Sequence, residues 1–288
     1  MVGWNGFTSY VAMFRCVEIR KPESKKLIIV GLEGVLEKSI SKGKSMNRKM
    51  LTKIALRTLA LVAVICVTPL VRMQGAETLY ATMAPLDQYL MADRNAEIAL
   101  ARSAAPPSIA KDAAVLVLGR HGYETAVEGT NGFVCMVSRM WTAGFDHPEF
   151  WNPKNRGPAC YNPQAVRSVL PIELMRTKFA LAGKSKEEIH ESMKAAVGKK
   201  ELPAVEPGAL VYMMSKQGHL NDSAGHWHPH LMFYVPLGEA KTWGAGEPGS
   251  PIIVPPRFNG APEPLTELII IVSEWSDGTP ADSSDHSR

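Results

Sequence analysis

Apolar and polar positions recur with two different periods along this chain, and they assign most of residues 77–275 to helices or strands. Residues 85–101 place Leu86, Tyr89, Leu90, Ile98 and Ala101 between charged positions, the spacing of an amphipathic helix. Ala104-Ala-Pro-Pro-Ser108 ends it. Residues 113–119 (AAVLVLG) form a short apolar run bounded by turn residues, which predicts a buried strand. Residues 123–129 and 133–138 flank Thr130-Asn131-Gly132. Asn and Gly both tolerate positive φ, so the two runs are expected to pair as a hairpin and to extend 113–119 into a meander.

An aromatic, proline-rich stretch over residues 142–163 reads as a loop, and residues 164–181 as a helix broken near Pro171. Ser185-x-x-Glu188 is a capping box that opens a helix over 186–197, with Gly198 as its stop. Strand patterns return at 209–215, 231–235 and 267–274. Between the last two, residues 236–265 are rich in Gly and Pro without periodicity, the mark of a functional or mobile loop. Residues 276–288 are polar and expected to be a disordered tail. The fold expected is a single α+β domain over residues 77–275. It has a five- to six-stranded, mostly antiparallel sheet with three or four helices.

Composition is that of a folded protein: 288 residues, 45% hydrophobic and 21% charged. It excludes a disordered polymer, a collagen-like repeat, a disulfide miniprotein and a polytopic membrane protein. The N-terminus changes the picture. From Met46 a basic stretch leads into an uncharged apolar run over residues 58–71, and Gln74-Gly-Ala76 offers small residues for cleavage. That is the layout of a secretory signal peptide over 46–76, too short to span a bilayer, which takes about 20 apolar residues. Signal peptides start near their initiator, so residues 1–45 are expected to be a spurious or disordered N-terminal extension. Cys66 follows Ile65, where a lipobox needs a small residue, so lipidation is not expected.

Charge divides at the same boundary. Of 32 Lys and Arg, 13 precede residue 77, against 4 of the 28 Asp and Glu, so the leader carries +9. The remaining 212 residues carry 19 basic and 24 acidic side chains, net −5. No basic surface then argues for nucleic acid, and membrane contact is expected only transiently, through the signal peptide. Cys135 and Cys160 are the two cysteines left after cleavage. In an oxidising periplasmic or secreted setting they are best read as one disulfide; buried free thiols or metal ligands are the other readings.

Histidine supplies the candidate chemistry. Of eight, four lie in Gly218-His-Leu-Asn-Asp-Ser-Ala-Gly-His-Trp-His-Pro-His230: His219, His226, His228 and His230. On an extended backbone, positions 226, 228 and 230 share a face with neighbours about 6.5–7 Å apart. Two such imidazoles and a third ligand could hold Zn²⁺ with an open position. Asp222 and His219 are local candidates for that ligand or for its support, with His121 and Glu124 more distant. A metal-bound water would then allow hydrolysis, with Glu124 or Asp222 as base. A histidine cluster working without metal, or one merely capping a strand, accounts for the same spacing.

Other signatures are absent. There is no G-x-S-x-G, no G-x-G-x-x-G after a strand, and Lys178 stands where a phosphate loop ending at Ser185 needs Gly. No cupin Glu follows the histidines. Asp146-His147-Pro-Glu149 reads as a solvated loop. The segments HGYETAVEGTNGF and GHWHPHLMFYVP resemble an uncharacterised family of exported bacterial proteins. The resemblance covers about residues 80–255 and implies one exported domain without implying an activity. A non-catalytic module is the competing expectation. In it the loops 142–163 and 236–265 wall a pocket for a small molecule or cell-envelope ligand, with Trp151 and Trp227 as contacts, and a structural role in the envelope stands beside it.

Overall fold

The computed structural model describes residues 80–222, 225–255 and 261–281. The expected extension (1–45) and signal peptide (46–76) lie outside the described residues, as do residues 282–288. Among the described residues eight strands form a single sheet. They are β1 (Ala114–Gly119), β2 (Gly122–Val127), β3 (Val134–Ser138), β4 (Gly157–Tyr161), β5 (Leu210–Met213), β6 (His230–Pro236), β7 (Ile252–Ile253) and β8 (Leu265–Ile271). Their order is β2-β1-β3-β4-β5-β6-β8-β7, antiparallel throughout except for the parallel pair β1–β3. Among the described residues five α-helices accompany them: α1 (Arg94–Arg102), α2 (Pro107–Ala110), α3 (Pro163–Ser168), α4 (Leu170–Leu181) and α5 (Lys186–Gly198).

The fold is thus mixed α/β on one mostly antiparallel sheet, larger than the five or six strands expected. β4 accounts for part of the difference. Its Gly157-Pro158 opening reads as loop, yet β5 pairs only with Cys160 and Tyr161, so Pro158 removes no donor that this neighbour uses. β7, two residues long, carries no pattern at all. The helix count rises because the break near Pro171 yields two helices and Pro107 opens a short extra one.

The expected hairpin around Asn131-Gly132 does not form. β2 instead pairs back on β1 through the tight turn between Gly119 and Gly122, and the chain then crosses to the far edge of β1. The turn chemistry at 130–132 is nonetheless used. Gly132 has φ +77°, and the Asn131 side chain accepts from Phe133 N–H and donates to the Ile109 carbonyl. Burial decides the order: apolar β1 takes the inner position, and half-exposed β2, with Tyr123, Glu124 and Thr125, takes the edge. The crossing is tight. A Cβ on Gly129 would lie 2.1 Å from Ala114 N.

The first helix starts later than its apolar spacing suggests, because Asp93 caps it, accepting from Asn95 and Ala96 N–H. The capping box at Ser185 and Glu188 forms as expected. Alternation sorts the sheet into two faces. One carries Val115, Val117, Cys135, Val137 and Cys160 beneath α1 and α2. The other carries Met136, Ala159, Tyr161, Val211 and Met232 beneath α4 and α5. The Cys135–Cys160 disulfide is formed, joining directly opposed residues of β3 and β4 that are fully buried. An oxidising compartment favours such a bond. Among the described residues no helix is long and apolar enough to cross a membrane. Past residue 275, Ser276 still bonds to the Met214 and Ser103 carbonyls, so part of the expected tail packs on the domain.

Candidate functional site

On the α4 face of the sheet lies a cavity of about 1150 Å³. Its floor is the row of side chains that period two turns to that face: Ala159 and Tyr161 of β4, Met213 of β5, Met232 of β6, Ile269 of β8. Its walls are the segment 138–147, the approach to β6 at 226–230, and Ile253 with Pro255. Both long loops expected to wall a pocket contribute, the first much more than the second. Trp227 lines this cavity, whereas Trp151 lines a separate one of about 650 Å³.

His226, His228 and His230 all line the large cavity. The extended alternation that would put them on one strand face is not realised, since β6 begins only at His230. His226 is exposed, with its ring centroid 6.2 Å from Trp275. Trp227 is buried and meets His230 edge-on at 5.9 Å. Trp227 fits there because two glycines leave room: a Cβ on Gly218 would lie 2.9 Å from its ring, and one on Gly157 3.3 Å. Among the described residues no group of three His, Cys, Asp or Glu side chains is placed to hold a metal ion.

The other residues expected at the site are elsewhere. His219 and Asp222 do not line the cavity. Asp222 accepts from the Tyr80 hydroxyl at 2.5 Å, lies 3.1 Å from Lys154 Nζ and 3.5 Å from His219 Nε2. The Tyr80 bond, with Lys154 and Asn152, holds its carboxyl at about 2, too weak a base for chemistry near neutral pH. Glu124 sits exposed on edge strand β2, paired with Arg94 at 2.5 Å, with four strands between β2 and β6. His121 lies in the turn before it.

In place of those two carboxylates the fold brings in others. Glu173 of α4 and Glu267 of β8 both line the cavity and are 3% and 2% exposed. Glu267 accepts from the hydroxyl of Tyr234, its direct partner across β6–β8. Asp146, exposed as the solvated-loop reading expects, and partly buried His147 also line the cavity. A signal for the buried pair exists in hindsight: each is a lone carboxylate inside an apolar run, Leu170-Pro-Ile-Glu-Leu-Met175 and Leu265-Thr-Glu-Leu-Ile269.

Two histidines of the cavity are fixed in opposite tautomers. His230 Nδ1 is 2.7 Å from the His228 carbonyl, and a carbonyl can only accept, so Nδ1 carries the proton and Nε2 the lone pair. His147 Nδ1 accepts from Glu149 N–H at 3.1 Å, so in its neutral form the proton is on Nε2. Burial lowers the pKa of both; for His147 the charges of Glu149 and Asp146 oppose the effect. Near neutral pH one ring offers a base and the other a donor.

The remaining charges of the wall are structural. Arg139, fully buried, donates to Glu97 at 2.9 Å, to the Tyr89 carbonyl and to the Val137 carbonyl. Arg176 pairs with Glu263 at 2.8 Å, donates to the Thr142 and Ala143 carbonyls, and lies over the Phe145 ring, which holds the 142–145 wall in place. No family model, curated protein or solved structure matches this chain.

Proposed function

We propose that this is an exported enzyme that binds a small organic molecule in the large cavity and moves protons on it, with His230 as base and His147 as hydrogen-bond donor or acid. One observation carries the reading: two neutral histidines, locked in opposite tautomers by backbone bonds, line the same cavity. General acid–base catalysis needs that division of roles near neutral pH. At about 1150 Å³ the cavity is a little larger than the about 300–1,000 Å³ typical of small-molecule sites, so it has room for such a ligand. The disulfide supports an exported setting. Zinc-dependent hydrolysis is less well supported, because a third ligand is wanting among the described residues.

The test follows a library of small organic molecules by NMR in D₂O, incubated with the mature domain. At least one compound is expected to exchange a proton or convert, with the rate falling 100-fold or more in His230→Gln. Compounds that bind but never exchange or convert would leave a non-catalytic binding module instead.

A further inference from the structure

The ring of His147 is held by the N–H of Glu149, two residues ahead, at 3.1 Å. The bond is the histidine counterpart of an Asx turn, a local side-chain-to-backbone contact that holds only while the chain keeps the turn. Pro148 stands between the two residues and fixes its own φ at about −65°. Whether the ring stays in place therefore depends on where the backbone of Glu149 lies.

The side chain of Glu149 sets that position. One of its oxygens, Oε2, accepts from the Asn152 amide at 2.6 Å and from Asp222 N–H at 2.9 Å. Both donors are themselves fixed. Asn152 is fully buried and accepts from Lys154 N–H at 2.9 Å, and the adjacent Trp151 carbonyl accepts from the buried Tyr89 hydroxyl at 2.7 Å. Ahead of Asp222, Asn155 donates to the His219 and Leu220 carbonyls, and Arg156 and His219 exchange backbone bonds. Asp222 returns the contact, accepting from Asn152 at 3.3 Å and from Lys154 Nζ at 3.1 Å. The two carboxylates thus clasp residues 147–154 to 219–222, and neither of them lines the cavity.

The geometry points to Glu149 as a positioning residue: from outside the cavity its carboxylate fixes the turn that holds the His147 ring in the wall. The inference rests on the reading of His147 as donor and adds the group that keeps it one. The role calls for an acceptor oxygen and not for a charge, because both bonds converge on Oε2 and an amide oxygen has two lone pairs as well. The charge acts separately. Burial lowers the pKa of His147, and the charges of Glu149 and Asp146 oppose it. Glu149→Gln therefore separates the two effects, and Glu149→Ala removes both.

NMR of the ¹⁵N-histidine-labelled protein tests it, with His147→Gln assigning the ring. Above neutral pH the parent is expected to show a fixed Nε2–H tautomer. Glu149→Gln should keep that tautomer and titrate His147 at lower pH than the parent does. Glu149→Ala should move both ring nitrogens toward the shifts of a free, interconverting imidazole. For a compound that the protein converts, kcat should fall about tenfold or more in Glu149→Ala and less than about twofold in Glu149→Gln, the scale of a misaligned group. An unchanged tautomer in Glu149→Ala overturns the assignment, and so does its loss in Glu149→Gln. A parent ring that is already mobile, or protonated on Nδ1, overturns it as well, and that result stands even where the alanine variant fails to fold. The two readings fail separately. The ring spectra need no substrate, so a protein that converts nothing removes the acid–base site and keeps the positioning. Turnover lost in His147→Gln but untouched in Glu149→Ala does the reverse.

Discussion

The ring of His230 donates through Nδ1 to the carbonyl of His228, two residues back, at 2.7 Å. Burial keeps the ring neutral in the folded chain, against that bond, which favours the protonated form, and His147 is kept neutral by burial as well. The consequence for stability has a definite sign. Above about pH 6.5 folded and unfolded chains bind equal protons at these sites. Below it the unfolded histidines take up protons that the folded ones refuse, so stability falls as pH falls toward the folded values. Buried His230 can contribute a slope of up to about 1.4 kcal/mol per pH unit, and half-exposed His147 less. Urea midpoints at pH 7.5 and 5.5 should differ, and His230→Gln should flatten the difference. Asp222 acts in a separate window: its contribution holds down to about pH 4 and is lost as pH falls toward 2. A midpoint unchanged between pH 7.5 and 5.5 would contradict the assignment of neutral rings.

Local signals in the sequence located most elements but not their partners. Short apolar, strand-like runs found β1, β5, β6 and β8, and the capping box found α5, because these are decided within a few residues. The pairing of β2 with β1 was not legible, since Asn131-Gly132 makes a turn whether the chain folds back or crosses over. What settles it is the burial of β1 on both edges, a tertiary matter. The site shows the same division. The cluster at 226–230 stood out by density of histidine, and it does reach the cavity. Glu173 and Glu267 have no local link to it: the first is brought in by the packing of α4 on the sheet, the second by the register of β8 on β6. His147 looked solvated because acidic and proline neighbours surround it, and its tautomer depends on a bond to Glu149 that no spacing announces.

Trp227 is seated against two glycines, and the seat is testable. A methyl at position 218 would lie 2.9 Å from the indole, closer than side chains approach one another, so Gly218→Ala must push the ring or the backbone. Gly218 is not among the residues with positive φ, so the effect is packing and not backbone strain. Overpacking of this kind costs about 1–3 kcal/mol. Tryptophan emission should shift with the displaced ring, and the affinity of a ligand in the cavity should fall with it. Gly157→Ala, at 3.3 Å, should be milder. Equal and negligible effects from both would mean that the wall is not held this way.

The disulfide can be checked by counting thiols. Residues 77–288, denatured but unreduced, should show none, because Cys135 and Cys160 are bonded to each other. The loop between them is 25 residues in separation, and closing it stabilises the fold by roughly 3 kcal/mol on the chain-entropy account. Cys135→Ala/Cys160→Ala should therefore lose about that much in denaturant unfolding. Two titratable thiols in the unreduced protein would contradict the bond.

Arg176 and Glu263 give the sharpest test of how the cavity wall is held. Both are almost fully buried, and the guanidinium also carries the Thr142 and Ala143 carbonyls and the face of Phe145. Removing one member of such a pair strands the other charge in the interior, which costs about 3–5 kcal/mol. Arg176→Met should lose stability on that scale, and it should also loosen residues 142–145 and weaken binding in the cavity. Arg176→Met/Glu263→Leu removes both charges and should recover much of the stability. It should not recover the binding, because the two carbonyl bonds that position the wall are still missing. Full recovery of both properties in the double variant would mean that the wall stands without the arginine.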